Sequence, residues 1–312
     1  MHTYESVGAP IPRADDLAGA LGVPRAFFTR PECAPFSCHQ GFFRSRRRAT
    51  ARQLTAARAA AVLAIEMYEV LASQVKLPEV AMPDLDHQEP ESAADTLRAL
   101  WGRGQGPLPN LVQLGEAHGV RIVSLPTDAD TVDAFSLWQD DVPYVFLATS
   151  KTGARSRFDL AHELGHLVMH SRVDVGAGEV TSRALEREAD MFASALLMPR
   201  QDVLSHSGRE PAVPEILRLR DHYRVSALAM TRRLHELGRL SDWAYRQNCV
   251  QLTQRGFRTG EPGASNGSSR VCFLPSSICS GEKAGPSPTS PKNSDCRRPT
   301  CIRSRSVSSR SH

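Results

Sequence analysis

The stretch Arg157-Phe158-Asp159-Leu160-Ala161-His162-Glu163-Leu164-Gly165-His166-Leu167-Val168-Met169-His170 constrains this chain more than any other. Leu160, Leu164, Leu167 and Val168 recur at helical spacing and predict a buried helix. On that helix His162 and His166 lie one turn apart on one face. Their ring nitrogens then converge on one point, as a tetrahedral zinc ion requires of its first two ligands. Glu163 sits about 100° further round the helix, beside such a metal, where its carboxylate can act as general base on a water. The same pattern arises by chance in amphipathic helices, but a buried His-Glu-His set is costly unless it is paired or binds metal. Gly165 costs about 1 kcal/mol relative to alanine inside a helix, so its presence predicts a close neighbour at that point.

A catalytic zinc site takes three protein ligands and keeps a fourth position open. The segment Glu186-Arg187-Glu188-Ala189-Asp190-Met191-Phe192-Ala193-Ser194-Ala195-Leu196-Leu197-Met198-Pro199 supplies the third. Ala189, Phe192, Ala193, Leu196 and Leu197 mark the buried face of a second helix, closed by Pro199. Glu186 and Asp190 are four apart and share a face. Glu186 is assigned as the third ligand, and Asp190 as the acceptor for the free ring N–H of a ligand histidine. Glu188, on a different face, is the alternative ligand. The competing reading is a charged helix edge on which Arg183 and Arg187 pair with these acids.

The two segments "RFDLAHELGHLVMH" and "EREADMFASALLMPR" resemble the ImmA/IrrE family of metallo-endopeptidases, and the spacing from His166 to Glu186 resembles that of gluzincins. "DAFSLWQDDVPYVFLATS" before the first helix and "RVSALAMTRRLHELGRLSDWAYR" after the second resemble that family's long regulator members, over about Tyr4 to Pro262. The resemblance implies a zincin-like α+β core, a zinc cofactor with manganese as the alternative, and a DNA-binding repressor as the protein substrate, so that cleavage relieves repression. The long members carry an XRE-type helix-turn-helix at the N-terminus. Here only its last third is matched, so docking of a recognition helix in the major groove is not expected. The rival reading is a non-proteolytic regulator whose zincin-like domain senses a ligand or partner and whose helix-turn-helix binds DNA.

Charge argues the same way. The protein has 312 residues and a net charge of +4. From residue 259 onward there are eight Lys/Arg against three acids, so that tail carries +5 and leaves the rest at −1. The body therefore lacks the global basic footprint that dominates nucleic-acid binding. Four of the seven cysteines (Cys272, Cys279, Cys296, Cys301) also fall in the tail, and Cys33, Cys38 and Cys249 have no zinc-finger spacing. The longest apolar run, near Ala57–Ile65, is far short of the roughly 20 residues of a membrane span. No signal-peptide core opens the chain, so a cytoplasmic protein with no membrane contact is expected.

Along the chain, residues 1–30 read as the helix-turn-helix remnant, with Leu17 and Leu21 on a short helix and Phe27 and Phe28 as core anchors. Residues 31–105 read as a helical spacer. Within it, Phe42-Phe43-Arg44-Ser45-Arg46-Arg47-Arg48 reads as a loop with docked aromatics and solvated arginines. Residues 50–76 form a long helix whose wide apolar face is Leu63, Ile65, Met67, Val70 and Leu71. An acidic, proline-bearing linker follows over 78–90, then a helix at 92–103 with Leu97, Leu100 and Trp101 on one side.

Residues 106–200 read as the peptidase core. After a helix at 110–118, Val120–Leu125, Val132–Gln139 and Val142–Ala148 read as strands of a small antiparallel sheet, with turns at Pro126, Asp128 and Asp130 and at Asp140-Asp141. Its edge is suited to hold an extended peptide by strand addition. Residues 201–258 read as a helical subdomain, with helices at about 213–223, 226–237 and 241–254, N-caps at Ser226 and Ser241, and a C-cap at Gly238. Arg232, Arg233 and His235 admit a DNA-recognition reading of the middle helix; packing of Leu228, Met230, Leu234 and Leu237 in a small bundle is the favoured one. Residues 259–312 read as disordered by composition. An oxyanion donor is also expected in the site, and Tyr144, His170, His222 and Tyr223 are the candidates.

Overall fold

The structure is a computed structural model that describes residues 14–29, 51–125, 134–148, 152–171, 179–258, 260 and 262. The basic-aromatic segment 42–48, Cys33 and Cys38, the turn residues Pro126, Asp128 and Asp130, and nearly all of the tail lie outside these residues.

The architecture is α+β. Two short helices, α1 (Ala14–Leu21) and α2 (Ala26–Thr29), precede the long α3 (Ala51–Gln74). Then come α4 (Pro90–Leu100), α5 (Leu111–Ala117), strands β1 (Arg121–Leu125), β2 (Ala134–Gln139) and β3 (Val142–Ala148), and the paired helices α6 (Gly153–Met169) and α7 (Glu179–Leu197). Helices α8 (Arg200–His206), α9 (Val213–Tyr223), α10 (Ala227–Glu236) and α11 (Asp242–Gln254) complete the order. No helix among the described residues is long and apolar enough to cross a membrane.

The three strands are ordered β1-β3-β2. β2 and β3 form the expected hairpin, with Gln139 opposite Val142. Asp140 and Asp141 have φ of 48° and 59°, the left-handed pair that a two-residue turn between twisted strands demands. The sheet is mixed, however, rather than wholly antiparallel: β1 runs parallel to β3, with Arg121 opposite Tyr144 and Leu125 opposite Ala148. Because β3 folds back from β2 into the central position, it meets β1 running in the same direction. Strand periodicity carries no information about which neighbour a strand finds.

One face of the sheet packs on α3, the other on α6. The α3 face gathers Val123, Leu125, Phe135, Leu137, Tyr144 and Phe146 around Ala57, Ala61, Ala64, Ile65 and Tyr68. The face expected from bulk alone is corrected here: Leu63 and Val70 are exposed, and Met67 and Leu71 are only partly buried. The small Ala57, Ala61 and Ala64 let the helix axis approach the sheet, and Ile65 and Tyr68 fill the rest of the buried stripe. Phe27 and Phe28 are likewise not core anchors; each is 36% exposed, and they pack edge-on against each other. On α4 the buried stripe is Pro90, Ala93, Ala94, Leu97 and Arg98, which leaves Leu100 exposed and Trp101 buried.

The larger cluster runs from Leu85 and Leu97 through Val145, Leu164 and Phe192 to Tyr223, Leu234 and Leu252. The 78–90 segment joins it, since Leu85 is buried and donates its N–H to the Val168 carbonyl at 2.7 Å. Arg98 ties α4 to the end of α7 by donating to the carbonyls of Leu196, Gly104 and Gly106. Arg157 donates to the carbonyls of Leu108 and Pro109 and pins the start of α6. Ser226 and Ser241 cap α10 and α11 as expected, accepting from the Ala229 and Ala244 N–H groups. Gly238 takes φ of 72° past the end of α10, a conformation that suits glycine at a helix stop.

On α10 the side chains that admitted DNA reading are engaged within the protein. Arg233 is buried and bonds Glu91 and the Met198 carbonyl, Arg232 pairs with Glu236, and His235 with Asp242. Met230, Leu234 and Leu237 are buried and Leu228 packs against them, so α10 belongs to a packed bundle.

Candidate metal centre

The pairing of α6 with α7 builds the site, and Gly165 makes that pairing close. A Cβ on Gly165 would lie 2.9 Å from the Phe192 ring and 3.4 Å from the Ala189 backbone. The close neighbour predicted at this glycine is therefore α7 itself. Ala189 and Phe192, on the buried face of α7, set the rotation of that helix. Glu186 and Asp190 are thereby turned toward His162 and His166.

Four groups meet there. The Nε2 atoms of His162 and His166 lie 3.1 Å apart. Glu186 Oε2 is 3.2 Å from His162 Nε2, and Glu186 Oε1 is 3.5 Å from His166 Nε2. Bonds of about 2.0–2.1 Å to a tetrahedral zinc place neighbouring ligand atoms about 3.3 Å apart, and these three separations bracket that value. His162, His166 and Glu186 are the group of metal-binding type found among the described residues. His166 and Glu186 are buried and His162 is half-buried.

The hydrogen bonds say which atoms face inward. Asp190 Oδ1 lies 2.9 Å from His162 Nδ1; an ionised carboxylate only accepts, so the Nδ1–H of His162 donates to it. Neutral His162 then presents its Nε2 lone pair to the other donors. Nitrogen lone pairs and a carboxylate facing one another at this range repel unless a cation lies between them. The residues present thus fit a divalent metal of zinc type.

Glu163 is 5% exposed and stands next to this group on α6. Its Oε2 accepts a 2.7 Å hydrogen bond from the hydroxyl of Ser136, a fully buried residue of β2. Trp138, two residues on, donates its indole N–H to the Leu167 carbonyl at 3.1 Å. These two side chains on the inner face of β2 fasten the strand along α6. Sequence reasoning missed Ser136. Its only signal was alternation, which puts 134, 136 and 138 on the face opposite Phe135 and Leu137.

The oxyanion candidates are scattered. Tyr144 lies on the α3 face of the sheet, edge-on to Tyr68, and burial pushes its pKa up to about 12. Tyr223 donates its hydroxyl to Asp202 at 2.7 Å, and His222 packs near His206. His170 is buried against the metal group. Its Nδ1 is 3.0 Å from Nδ1 of His166, and its Nε2 is 3.1 Å from Glu188 Oε2. Burial lowers the pKa of His170, and the Glu188 hydrogen bond opposes that. Glu188, the alternative ligand, thus meets His170 rather than the three converging donor atoms.

Residues 115–235, from α5 to α10, match the profile of the IrrE N-terminal-like domain, Peptidase M78. This segment is an ImmA/IrrE-family metallopeptidase domain. The match includes His162, Glu163, His166 and Glu186, and it runs past α7 into the helices that pack behind the site. No curated relative matches the chain. As a peptidase domain, the M78 segment implies a protein substrate.

Proposed function

We propose that this protein is a cytoplasmic zinc-dependent endopeptidase that cleaves a DNA-binding repressor and so switches transcription. The observation that carries the hydrolytic reading is the convergence of His162 Nε2, His166 Nε2 and a Glu186 carboxylate at 3.1–3.5 Å, with Glu163 held beside them. His162, His166 and Glu186 hold the metal, and the nitrogen-rich donor set favours zinc over manganese. A zinc ion held there would supply Lewis acidity to the scissile carbonyl and to the attacking water. Glu163 accepts the proton of that water and hands it to the leaving amine. Ser136 holds one Glu163 oxygen and so fixes the carboxylate beside the metal group. Asp190 keeps the His162 proton on Nδ1.

Among the described residues β2 pairs only with β3, so its other edge is open for an extended substrate segment. The repressor as substrate rests on the resemblance to the long regulator members. The division of the chain into an N-terminal remnant (1–30), spacer (31–105), core (106–200), helical subdomain (201–258) and tail (259–312) is part of the same proposal.

The test compares the parent protein with Glu163→Gln in cells of a host lacking the gene, with new protein N-termini labelled and sequenced. The variant should bind zinc like the parent and lose cleavage by about 10²–10⁴-fold, the usual contribution of a general base. New N-termini confined to a helix-turn-helix repressor support the whole proposal. Termini spread over unrelated proteins overturn the repressor assignment alone. Equal N-termini from both chains overturn the hydrolytic reading.

A further inference from the structure

The two histidine ligands are oriented by different devices. His162 meets a carboxylate directly, through Asp190 at 2.9 Å. His166 meets another imidazole: its Nδ1 lies 3.0 Å from Nδ1 of His170, whose Nε2 lies 3.1 Å from Glu188 Oε2. His170 follows His166 by one helical turn, and Glu188 follows Glu186 by two residues on α7. Both imidazoles are buried, at 1% and 2% exposure, while Glu188 reaches solvent.

Proton bookkeeping along this row has one neutral solution. Glu188 as a carboxylate only accepts, so Nε2 of His170 carries the hydrogen that meets it. A neutral imidazole has one N–H, so Nδ1 of His170 is then a lone pair. That lone pair faces Nδ1 of His166, which must supply the hydrogen between them. The remaining lone pair of His166 is on Nε2, the atom directed at His162 and Glu186. Were His166 in the other tautomer, its Nε2 would carry a hydrogen aimed at the metal position, and two lone pairs would face each other at 3.0 Å.

We propose that Glu188 and His170 form a relay that holds His166 in the tautomer able to bind metal, which makes His170 a positioning residue for the second ligand. The relay extends the charge of a solvent-facing carboxylate into a buried ligand through one imidazole, where a direct carboxylate would have to be buried itself. It accounts for both residues in one arrangement: His170 acts through His166, and Glu188 serves as the outer anchor. The inference rests on the metal-site reading above, and the experiment separates the two.

Zinc affinity of the full chain is measured by competition with a chromophoric chelator for the parent, His170→Phe, His170→Asn and Glu188→Ala. Thermal melts of the metal-free proteins run in parallel. The tautomer of His166 in each zinc-free protein is read from its side-chain ¹⁵N shifts. His170→Phe should weaken zinc binding by about 10–100-fold, the usual cost of losing an outer partner of a ligand, and should populate the Nε2–H tautomer of His166. His170→Asn, which keeps an acceptor near the Nδ1 position, should restore most of the affinity. Glu188→Ala, a change at a half-exposed position, should weaken binding by a few fold and keeps the test open should His170→Phe not fold. A parent that binds no zinc overturns the metal-site reading and the relay with it. A parent that binds zinc, with unaltered affinity and His166 tautomer in His170→Phe and Glu188→Ala, overturns the relay alone. Equal losses in His170→Phe and His170→Asn assign His170 to packing and also overturn it.

Discussion

The two faces of the three-stranded sheet bury opposite chemistry. Toward α3 lie mostly aromatic and aliphatic side chains, with Phe135 stacked on Phe146 at 4.6 Å, Tyr68 edge-on to Tyr144, and the Arg121 guanidinium over the Tyr68 ring. Toward α6 the same strands alternate apolar residues with Ser136, whose partner is the buried Glu163. A helix on a sheet buries polar groups where neighbouring elements supply their partners. α7 does so for α6, through Glu186, Glu188 and Asp190. On the α3 face, the side that packs the sheet is alanine with Ile65 and Tyr68. One face therefore holds the fold together, and the other spends packing on a site.

Breaking the α6 face at its centre gives the largest effect. Glu186→Ala should weaken zinc binding by more than the roughly 10–100-fold that loss of an outer partner costs, measured by chelator competition. A greater loss from Glu188→Ala would reverse the ligand assignment. Ser136→Ala acts one contact further out. A hydrogen bond to a charged group contributes about 1.5–3 kcal/mol, so kcat should fall about tenfold or more with KM and zinc content held. A parental kcat would remove Ser136 from the support of Glu163.

The two helices then compare directly. Gly165→Ala forces a Cβ to 2.9 Å from the Phe192 ring. Ala61→Leu forces three carbons into the fully buried α3 contact. Overpacking of either kind costs about 1–3 kcal/mol, seen as a lower midpoint in urea. Only Gly165→Ala should also loosen zinc, because only it moves α7 away from the histidines. Zinc loosened equally by both variants would sink the division of labour between the faces.

The smallest effect at ordinary pH is alkaline. Burial pushes Tyr68 and Tyr144 up to about 12, above the ordinary phenol value of about 10. The unfolded chain releases these protons first, so the folded state holds more protons between the two values and stability falls as pH rises through that window. Below the unfolded value the stability is intact. Tyr68→Phe should reduce the drop in melting temperature between about pH 9 and about pH 11 relative to the parent.

Much of the site was readable because it is written in helical periodicity. His162 and His166 four apart, Glu163 beside them, and Glu186 and Asp190 four apart are each facts about one helix, and a helix fixes its side-chain directions locally. Gly165 also announced a close neighbour without saying that it was Phe192. The hairpin at Asp140-Asp141 was readable for a similar reason, since two adjacent turn residues between alternating strands leave few conformations.

What depended on which element meets which was not readable. Nothing in the order of the strands says that β3 lies between β1 and β2, or that β1 runs parallel to it. The buried stripe of α3 was hidden because Ala57, Ala61 and Ala64 pack on the sheet with Ile65 and Tyr68, while Leu63 and Val70 stay exposed. Helix α8, seven residues from Arg200 to His206, was too short to show a period. Ser136 became a partner of Glu163 only when β2 was laid along α6. His170 and Glu188, read singly as an oxyanion candidate and an alternative ligand, stand instead in one row with His166, on a pair of helices that touch across a glycine. The sequence alone thus determined the kind of chemistry, because ligand spacing is local; the tertiary structure decided which residues surround that chemistry, because those contacts join segments far apart in the chain.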